Sequence, residues 1–223
     1  EGFARYPTWN ALPSEKARSG VATGFDSDPD GDAWLPNECD ARIRADWFWS
    51  TKNAGTLKSV GQLMNMYYRS VGHGAVLLLN HTPDTTGRIP EADAKRAAEF
   101  GAEIQRRFGK SLAETTGRGN TVELDLGKST RLDHVITAED IREGERVREY
   151  VLEGFADGVW HQLCEGTAIG HKKIDRFAPV AVSKLRLRVT RAAAEALIRR
   201  LAAFSVWGER MPVENAAEMA SVT

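Results

Sequence analysis

The chain has 223 residues, of which 42% are apolar, which is enough for one large or two medium globular domains. Thirty basic residues stand against thirty-one acidic residues, so the composition indicates neither a nucleic-acid partner nor a membrane surface. Cys39 and Cys164 match no metal-ligand spacing, so we expect two buried thiols, with a single disulfide as the alternative, and no metal site. The longest apolar run, residues 75–79, is far too short to cross a membrane.

The first 33 residues show neither helical nor strand periodicity and are predicted to form a loop. They are rich in Gly, Pro, Ser and Asp, and they include the run FDSDPDG at residues 25–31. Such a run raises the alternative of a calcium-binding loop, but the glycine and glutamate positions of that pattern are not matched. A solvated loop is the preferred interpretation.

Residues 34–49, WLPNECDARIRADWFW, place aromatic side chains beside charged ones. Indole rings stack on the apolar faces of sugars, while carboxylates and guanidinium groups bind sugar hydroxyls. The pattern is compatible with a sugar site in which Trp47 and Trp34 are candidate platforms. On composition alone, the preferred interpretation is that the tryptophans belong to the core, because clustered aromatic residues usually pack together.

The charged residues of this stretch also have two interpretations. Glu38 and Asp40 lie on one face of an extended segment, and they are candidate sugar ligands together with Arg44. A catalytic pair is the less favoured alternative. The preferred interpretation is structural, with these carboxylates paired with Arg42 or Arg44.

An α/β pattern follows. Apolar residues at three- and four-residue steps predict a helix over 57–71, and the apolar run at 75–80 predicts a strand buried on both faces. Pro90, early acids and Gly109 predict a second helix over 91–108. Its expected inward stripe is Ala94, Ala97, Ala98, Gly101, Ile104 and Phe108. This order is typical of an α/β barrel or an open parallel sheet, in which residues 80–88 would form the rim of a site.

From residue 121 the pattern changes to that of an antiparallel β-sandwich. Short runs, several of them alternating, are separated by turns about every ten residues. Gly117 and Gly119 are expected to loosen a domain boundary at 110–120. Residues 192–207 favour a helix by propensity and a closing strand by position. The tail from residue 208 is predicted to be disordered.

Three long segments resemble the α-L-fucosidases of glycoside hydrolase family 29, particularly their bacterial and plant-like branch. They are residues 34–49, residues 70–109 (SVGHGAVLLLNHTPDTTGRIPEADAKRAAEFGAEIQRRFG), and residues 133–154 (DHVITAEDIREGERVREYVLEG) with 166–177 (GTAIGHKKIDRF). The resemblance implies the C-terminal part of a (β/α) barrel at residues 1–112 and a galactose-binding or discoidin-like β-sandwich at 113–207. It also implies a fucosylated oligosaccharide substrate and no cofactor, and it leaves the location open, with a periplasmic or secreted one favoured.

The resemblance further implies a retaining mechanism with an Asp nucleophile and a Glu acid/base. Trp47 matches an aromatic residue that packs against fucose, and Glu1 matches the acid/base or its neighbour. The family's Trp-Phe-Asp nucleophile motif is absent here, so we expect the nucleophile upstream of this chain. A barrel takes about 250 residues, so the chain is expected to be an inactive C-terminal half. The alternative is a non-catalytic carbohydrate-binding or scaffold fragment.

Overall fold

The computed structural model describes residues 9–19 and 26–206. Glu1 and the predicted tail at 208–223 lie outside these ranges. Short elements interrupt the segment that was expected to be a loop: β1 (Ala11–Leu12), α1 (Ser14–Arg18) and β2 (Ala33–Trp34). β1 pairs antiparallel with β2. Because each strand covers only two residues, neither has a periodicity that the sequence could reveal.

Two parallel strands and two helices come next. β3 (Glu38–Arg42) pairs with β4 (Val76–Asn80), and between them lie a 3-10 turn (Thr51–Asn53) and α2 (Val60–Arg69). Helix α3 (Glu91–Phe108) follows β4. The parallel pairing and the alternation of strand and helix confirm the α/β pattern of this part of the chain.

One face of this strand pair is buried and the other is exposed. Ala41 is buried in a cluster with Leu63 of α2 and Phe100 of α3. On the other face, Val76 and Leu78 are 50% and 52% exposed. The expectation that residues 75–80 are buried on both faces is therefore wrong, because no other described element covers the outer face.

Both helices begin and end close to the expected residues. The Ser59 hydroxyl accepts a hydrogen bond from the Gln62 N–H at the start of α2, and the Gln62 side chain accepts one from the Ser59 N–H. Helix α3 is flanked by Pro90 and Gly109, as predicted. Local capping chemistry is therefore sufficient to locate these two helices.

The buried side of α3 differs from the expected apolar stripe. Three members of that stripe are exposed: Ala94, Ala98 and Gly101. Three other residues are buried: Asp93, Phe100 and Arg107. Charged side chains can face inward here because they have partners, such as the Tyr68 hydroxyl that lies 3.0 Å from Arg107 Nη1.

The remaining described residues form a six-stranded antiparallel sheet. Its strands are β5 (Ala113–Arg118), β6 (Thr121–Glu139), β7 (Val147–Ala156), β8 (Val159–Gly166), β9 (Lys173–Ala192) and β10 (Leu197–Phe204). Their order in the sheet is β5-β10-β6-β9-β7-β8, and a 3-10 turn (Ile141–Glu143) precedes β7. The antiparallel strands predicted from residue 121 onward are confirmed, and strands outweigh helices in the described chain.

Each of the two longest strands, β6 and β9, combines two sequence segments that were predicted to form separate strands. β6 and β9 pair along most of their length, with register shifts between Asp125 and Thr130 and between Leu132 and His134. β10 pairs with the second half of β6, whereas β7 pairs with the second half of β9. Residues from both parts of the sheet share one core cluster. The bulges therefore bend a continuous sheet so that residues from both of its parts reach this cluster.

The ambiguous segment near the end of the sheet forms the strand β10, inserted between β5 and β6. Leu201, Ala202 and Ala203 are fully buried there. Tertiary burial thus overrides the helix propensity of this alanine-rich segment.

The expected domain boundary contains strand β5, and Gly117 is tightly packed. A Cβ atom at Gly117 would lie 2.8 Å from Val122 Cγ2. The prediction that this glycine loosens the chain is therefore wrong. Gly119 does adopt a positive φ of 89°, as a turn between β5 and β6 requires.

The sheet meets the helices through a buried polar junction. His134 Nδ1 lies 2.6 Å from the Asp133 carboxylate, and its Nε2 lies 2.9 Å from the Tyr68 hydroxyl. Burial lowers the pKa of His134. Lys172 Nζ donates a 2.8 Å hydrogen bond to the Tyr67 hydroxyl. These contacts dock this part of the sheet against helix α2. Within the described ranges, no helix is long and apolar enough to cross a membrane.

Candidate functional site

The carboxyl ends of β3 and β4 lie side by side, because the strands are parallel and Arg42 is in register with Asn80. Loops follow both ends. Asn80 Nδ2 donates a 2.9 Å hydrogen bond to the Trp47 carbonyl, and Thr82 Oγ1 donates to the same carbonyl at 2.8 Å. The loop after β4 therefore fixes the backbone of the loop after β3.

Trp47 presents an aromatic surface at this edge. Its side chain is 41% exposed, and the Arg42 guanidinium carbon lies 5.4 Å from the ring centroid. A cation at this distance orients the indole by cation–π attraction. The neighbouring Phe48 is 78% exposed. An indole with a fixed backbone, a charged neighbour and an open surface can stack on a sugar ring.

Glu38 and Asp40 share the exposed face of β3, as the alternation predicts. Val76 and Leu78 lie opposite them on β4. In residues 9–19 and 26–206, neither carboxylate has a hydrogen-bond or ion-pair partner. The expected pairing with Arg44 is therefore wrong. This face combines carboxylate oxygens with apolar surface, which suits a ligand that has both hydroxyls and C–H groups.

Arg44 does not reach the exposed face. It is 5% exposed, and its Nε donates to the Asp93 carboxylate at 3.1 Å. A second nitrogen, Nη2, also binds Asp93, while Nη1 donates to the carbonyls of Asn53, at 3.0 Å, and Ala54. The guanidinium thus joins the loop after β3 to the first turn of α3.

Trp34 and Trp47 lie beyond opposite ends of strand β3. Trp34 precedes the amino end of the strand, whereas Trp47 follows the carboxyl end. The five residues of β3 span about 13 Å. Trp34 is 56% exposed, and its ring does not contact the ring of Trp47. The described chain therefore presents two separate exposed indoles.

The loop after β4 is organised by Asp84. Its carboxylate accepts hydrogen bonds from the Thr86 N–H at 2.8 Å and from the Thr86 hydroxyl at 2.6 Å. These bonds hold the pKa of Asp84 below its usual value. This loop therefore has a defined shape beside Trp47, which the prediction of residues 80–88 as a rim did not specify.

In the described part of the chain, a metal site would need a cluster of side chains that could bind the ion. No group of three or more His, Cys, Asp and Glu side chains is arranged there to hold an ion. Cys39 is buried and Cys164 is half-buried, and both are free thiols. Burial raises the pKa of the Cys164 thiol.

Arg42 and Thr82 contribute to the geometry around Trp47 but were not among the predicted site residues. The contact between Arg42 and Trp47 could not be predicted from sequence periodicity, because the conformation of the loop between them determines whether the two side chains meet. Thr82 could have been proposed from its place just after a parallel strand. Glu1 lies outside the described residues, so its proposed catalytic role stays a prediction.

No protein-family model matches the chain. α-L-Fucosidase 1 of Arabidopsis thaliana is 29% identical over 240 residues, a match that covers 90% of this chain and 47% of that protein. A solved structure of a candidate α-L-fucosidase from Bacteroides thetaiotaomicron has a TM-score of 0.84 and 35% identity, and the match covers 91% of this chain and 48% of the other.

A Ruminococcus gnavus fucosidase of glycoside hydrolase family 29, solved in complex with fucose, has a TM-score of 0.78 and 27% identity. The match covers 91% of this chain and 48% of that one. This chain thus spans about half the length of the proteins that it matches. The resemblance of this chain to the C-terminal part of the α-L-fucosidases of glycoside hydrolase family 29 is confirmed.

Proposed function

We propose that this chain supplies the fucose platform of an α-L-fucosidase that removes terminal α-L-fucosyl residues from glycans. The observation that carries the proposal is Trp47, an exposed indole held by Asn80 and Thr82 at the carboxyl ends of two parallel strands. Similarity to named fucosidases over nine-tenths of the chain supports fucose as the sugar.

The proposed domain organisation places the C-terminal part of a (β/α) barrel at residues 1–112 and a β-sandwich at 113–207. Parallel strands β3 and β4, each followed by a helix, support the first assignment. The bent six-stranded antiparallel sheet supports the second.

Each predicted site residue has a proposed role. Trp47 packs against the C–H face of fucose, whereas Glu38, at the amino end of β3 and therefore away from Trp47, accepts hydrogen bonds from the hydroxyls of a neighbouring sugar. Trp34 provides a platform for a neighbouring sugar of the glycan. Arg44 acts through the position of the loop after β3, because its guanidinium is bound to Asp93.

The proposed reaction is a retaining hydrolysis. An Asp nucleophile forms a glycosyl-enzyme intermediate, and a Glu acts first as general acid and then as general base, with the two carboxyl groups about 5–5.5 Å apart. Since the chain spans 47% of its Arabidopsis relative, we propose that the nucleophile belongs to the other half of the protein. Glu1 is the proposed acid/base or its neighbour.

Hydrolysis of an aryl α-L-fucoside tests this division. The chain alone is expected to be inactive, whereas a longer protein that contains it is expected to hydrolyse the fucoside and to lose activity when Trp47 is changed to Ala. Full activity from the 223 residues alone would show that the nucleophile is inside this chain. Saturable fucose binding without hydrolysis by the longer protein would instead favour the non-catalytic carbohydrate-binding alternative.

A further inference from the structure

Lys58 binds the backbone carbonyls of three consecutive residues where the chain leaves strand β3. Its ammonium nitrogen donates a 2.6 Å hydrogen bond to the Arg42 carbonyl and a 3.0 Å hydrogen bond to the Arg44 carbonyl. Its backbone N–H donates to the carbonyl of Ile43, which lies between them, at 2.9 Å. One residue therefore binds each carbonyl from the last residue of β3 to the second residue beyond it.

These carbonyls need a donor because the pairing of β3 with β4 ends here. The last pair in register is Arg42 with Asn80, and the Ile43 N–H donates to the Asn80 carbonyl. Beyond Ile43, the described part of the chain offers no further strand for this segment to pair with. A lysine ammonium has three N–H donors and forms stronger hydrogen bonds than a neutral donor does. Lys58 thus replaces the missing strand.

The backbone of Lys58 is itself fixed to both helices. Lys58 immediately precedes Ser59, which begins α2 with reciprocal hydrogen bonds to Gln62. The guanidinium of Arg96, in α3, donates to the Lys58 carbonyl. From this anchored position the half-buried side chain reaches the end of β3. Lys58 therefore connects the two helices to the point where the loop after β3 begins.

The segment that Lys58 holds leads directly to Trp47. Arg42 begins the segment, and its guanidinium carbon lies 5.4 Å from the centroid of the Trp47 ring. The N–H of Ala45, two residues before the indole, donates a 3.0 Å hydrogen bond to Thr56 Oγ1. The direction in which the chain approaches the indole, and the place of the guanidinium beside it, therefore both depend on this segment.

We propose that Lys58 is a positioning residue for the Trp47 platform, an inference that rests on the proposed function. By fixing the end of β3, Lys58 sets the position of the indole and of the Arg42 guanidinium relative to an incoming sugar. It acts through the backbone carbonyls to which its ammonium is bound. Its loss is expected to displace the platform and leave the fold in place, because the helices keep their own cap and core contacts.

The variant Lys58→Met tests this role, because it removes the ammonium and keeps an unbranched apolar side chain. The matched control is Lys52→Met, which removes an exposed lysine from the same connection between β3 and α2. NMR spectra of the 223-residue chain without sugar report the environment of each indole. The Trp47 indole signal should move in Lys58→Met and stay in place in Lys52→Met. The Trp34 signal, from beyond the other end of β3, should be unchanged in both.

Titration with L-fucose measures the consequence for binding. Lys58→Met should bind L-fucose about tenfold more weakly than the unmodified chain, because a charged donor has been removed. Lys52→Met should bind L-fucose as the unmodified chain does. Urea unfolding shows whether each variant is folded under the conditions of the titration. If Lys58→Met is not folded, Lys58→Gln, which keeps a neutral N–H donor, replaces it and should show the same changes at a smaller size.

The outcomes separate this inference from the proposed function. Absence of a saturable Trp47 response to L-fucose in the unmodified chain would overturn the proposed function, and the sugar-free spectra would still decide whether Lys58 positions the indole. Saturable binding by the unmodified chain, with the same Trp47 signal and affinity in a folded Lys58 variant, would overturn the positioning role alone. Equal changes in Lys58→Met and Lys52→Met would overturn it as well.

Discussion

Asn80 Nδ2 donates a hydrogen bond to the carbonyl of Trp47 across 2.9 Å, although the two residues are 33 positions apart. This bond joins the loops that follow two neighbouring parallel strands. An indole on a surface loop would otherwise be free to move, and its ordering on ligand binding would cost free energy. Asn80 therefore preorganises the proposed fucose platform without contacting the sugar.

Replacing Asn80 with Ala should weaken fucose binding through this platform. Loss of one such hydrogen bond costs about 0.5–1.5 kcal/mol, which corresponds to roughly a two- to tenfold loss of affinity. NMR titration with L-fucose measures the change. The control is Asn120→Ala, an exposed asparagine between β5 and β6. Equal affinities for Asn80→Ala and the unmodified chain would show that this bond does not position Trp47.

Removing either member of the Arg44–Asp93 pair should strongly destabilise the fold. Both side chains are buried, so the remaining charge would have no ionic partner, at a cost of about 3–5 kcal/mol in the free energy of unfolding. Urea unfolding of Arg44→Ala and Asp93→Ala measures this cost. The matched control is Arg191→Ala, which breaks an exposed pair with Glu149 and should cost less than about 1 kcal/mol. Similar losses in all three variants would contradict the buried pairing.

His73 should make the folded chain less stable in acid. Its pKa is lowered from 6.5 to about 2, first by burial and then by Lys173, Arg176 and Arg69. In acid the unfolded chain takes up a proton here that the folded chain does not. The stabilising contribution is therefore complete above about pH 6.5 and is lost as the pH falls toward 2.

The variant His73→Asn should lose less of its free energy of unfolding as the pH falls. Between about pH 7 and pH 5, its free energy of unfolding should fall less steeply than that of the unmodified chain, by up to about 1.4 kcal/mol per pH unit. Urea unfolding at a series of pH values gives both slopes. His161→Asn, at an exposed position, is the control and should leave the slope unchanged. A His73→Asn slope equal to that of the control would refute the assignment.

Two glycine substitutions should have opposite effects on stability. Gly117→Ala would place its Cβ 2.8 Å from Val122 and should cost about 1–3 kcal/mol through overpacking. Gly101→Ala meets nothing within 4 Å in the middle of α3 and should stabilise the chain by about 1 kcal/mol through helix propensity. Thermal unfolding of the two variants measures the difference. Equal melting temperatures would contradict the close packing at Gly117.

Local signals in the sequence were enough to place several elements. Pro90 and Gly109 define the ends of α3, and the alternating runs after residue 121 predict strands such as β9, in which Leu185, Leu187 and Val189 are buried. Such patterns depend only on the backbone and on residues close in sequence, so they can be interpreted without knowledge of the fold.

Signals that depend on distant residues were misleading. The buried side of α3 was mistaken because Asp93 and Arg107 face inward only where Arg44 and Tyr68 are there to bind them. The segment containing Leu201 favours a helix by propensity and a strand by position, and its pairing with β5 and β6 decides for the strand. In the candidate site, Trp47 was predicted from the sequence, but its contacts with Arg42 and Thr82 could be found only from the loop geometry.

The most direct test of the central claim is an NMR titration that follows the indole N–H of Trp47 as L-fucose is added to the chain. D-fucose, which has the same composition and the opposite hand, is the matched control ligand. We predict a saturable shift of the Trp47 signal with L-fucose, little response to D-fucose, and loss of the effect in Trp47→Ala. An unchanged Trp47 signal, or equal responses to both sugars, would contradict the assignment of this surface as a fucose platform.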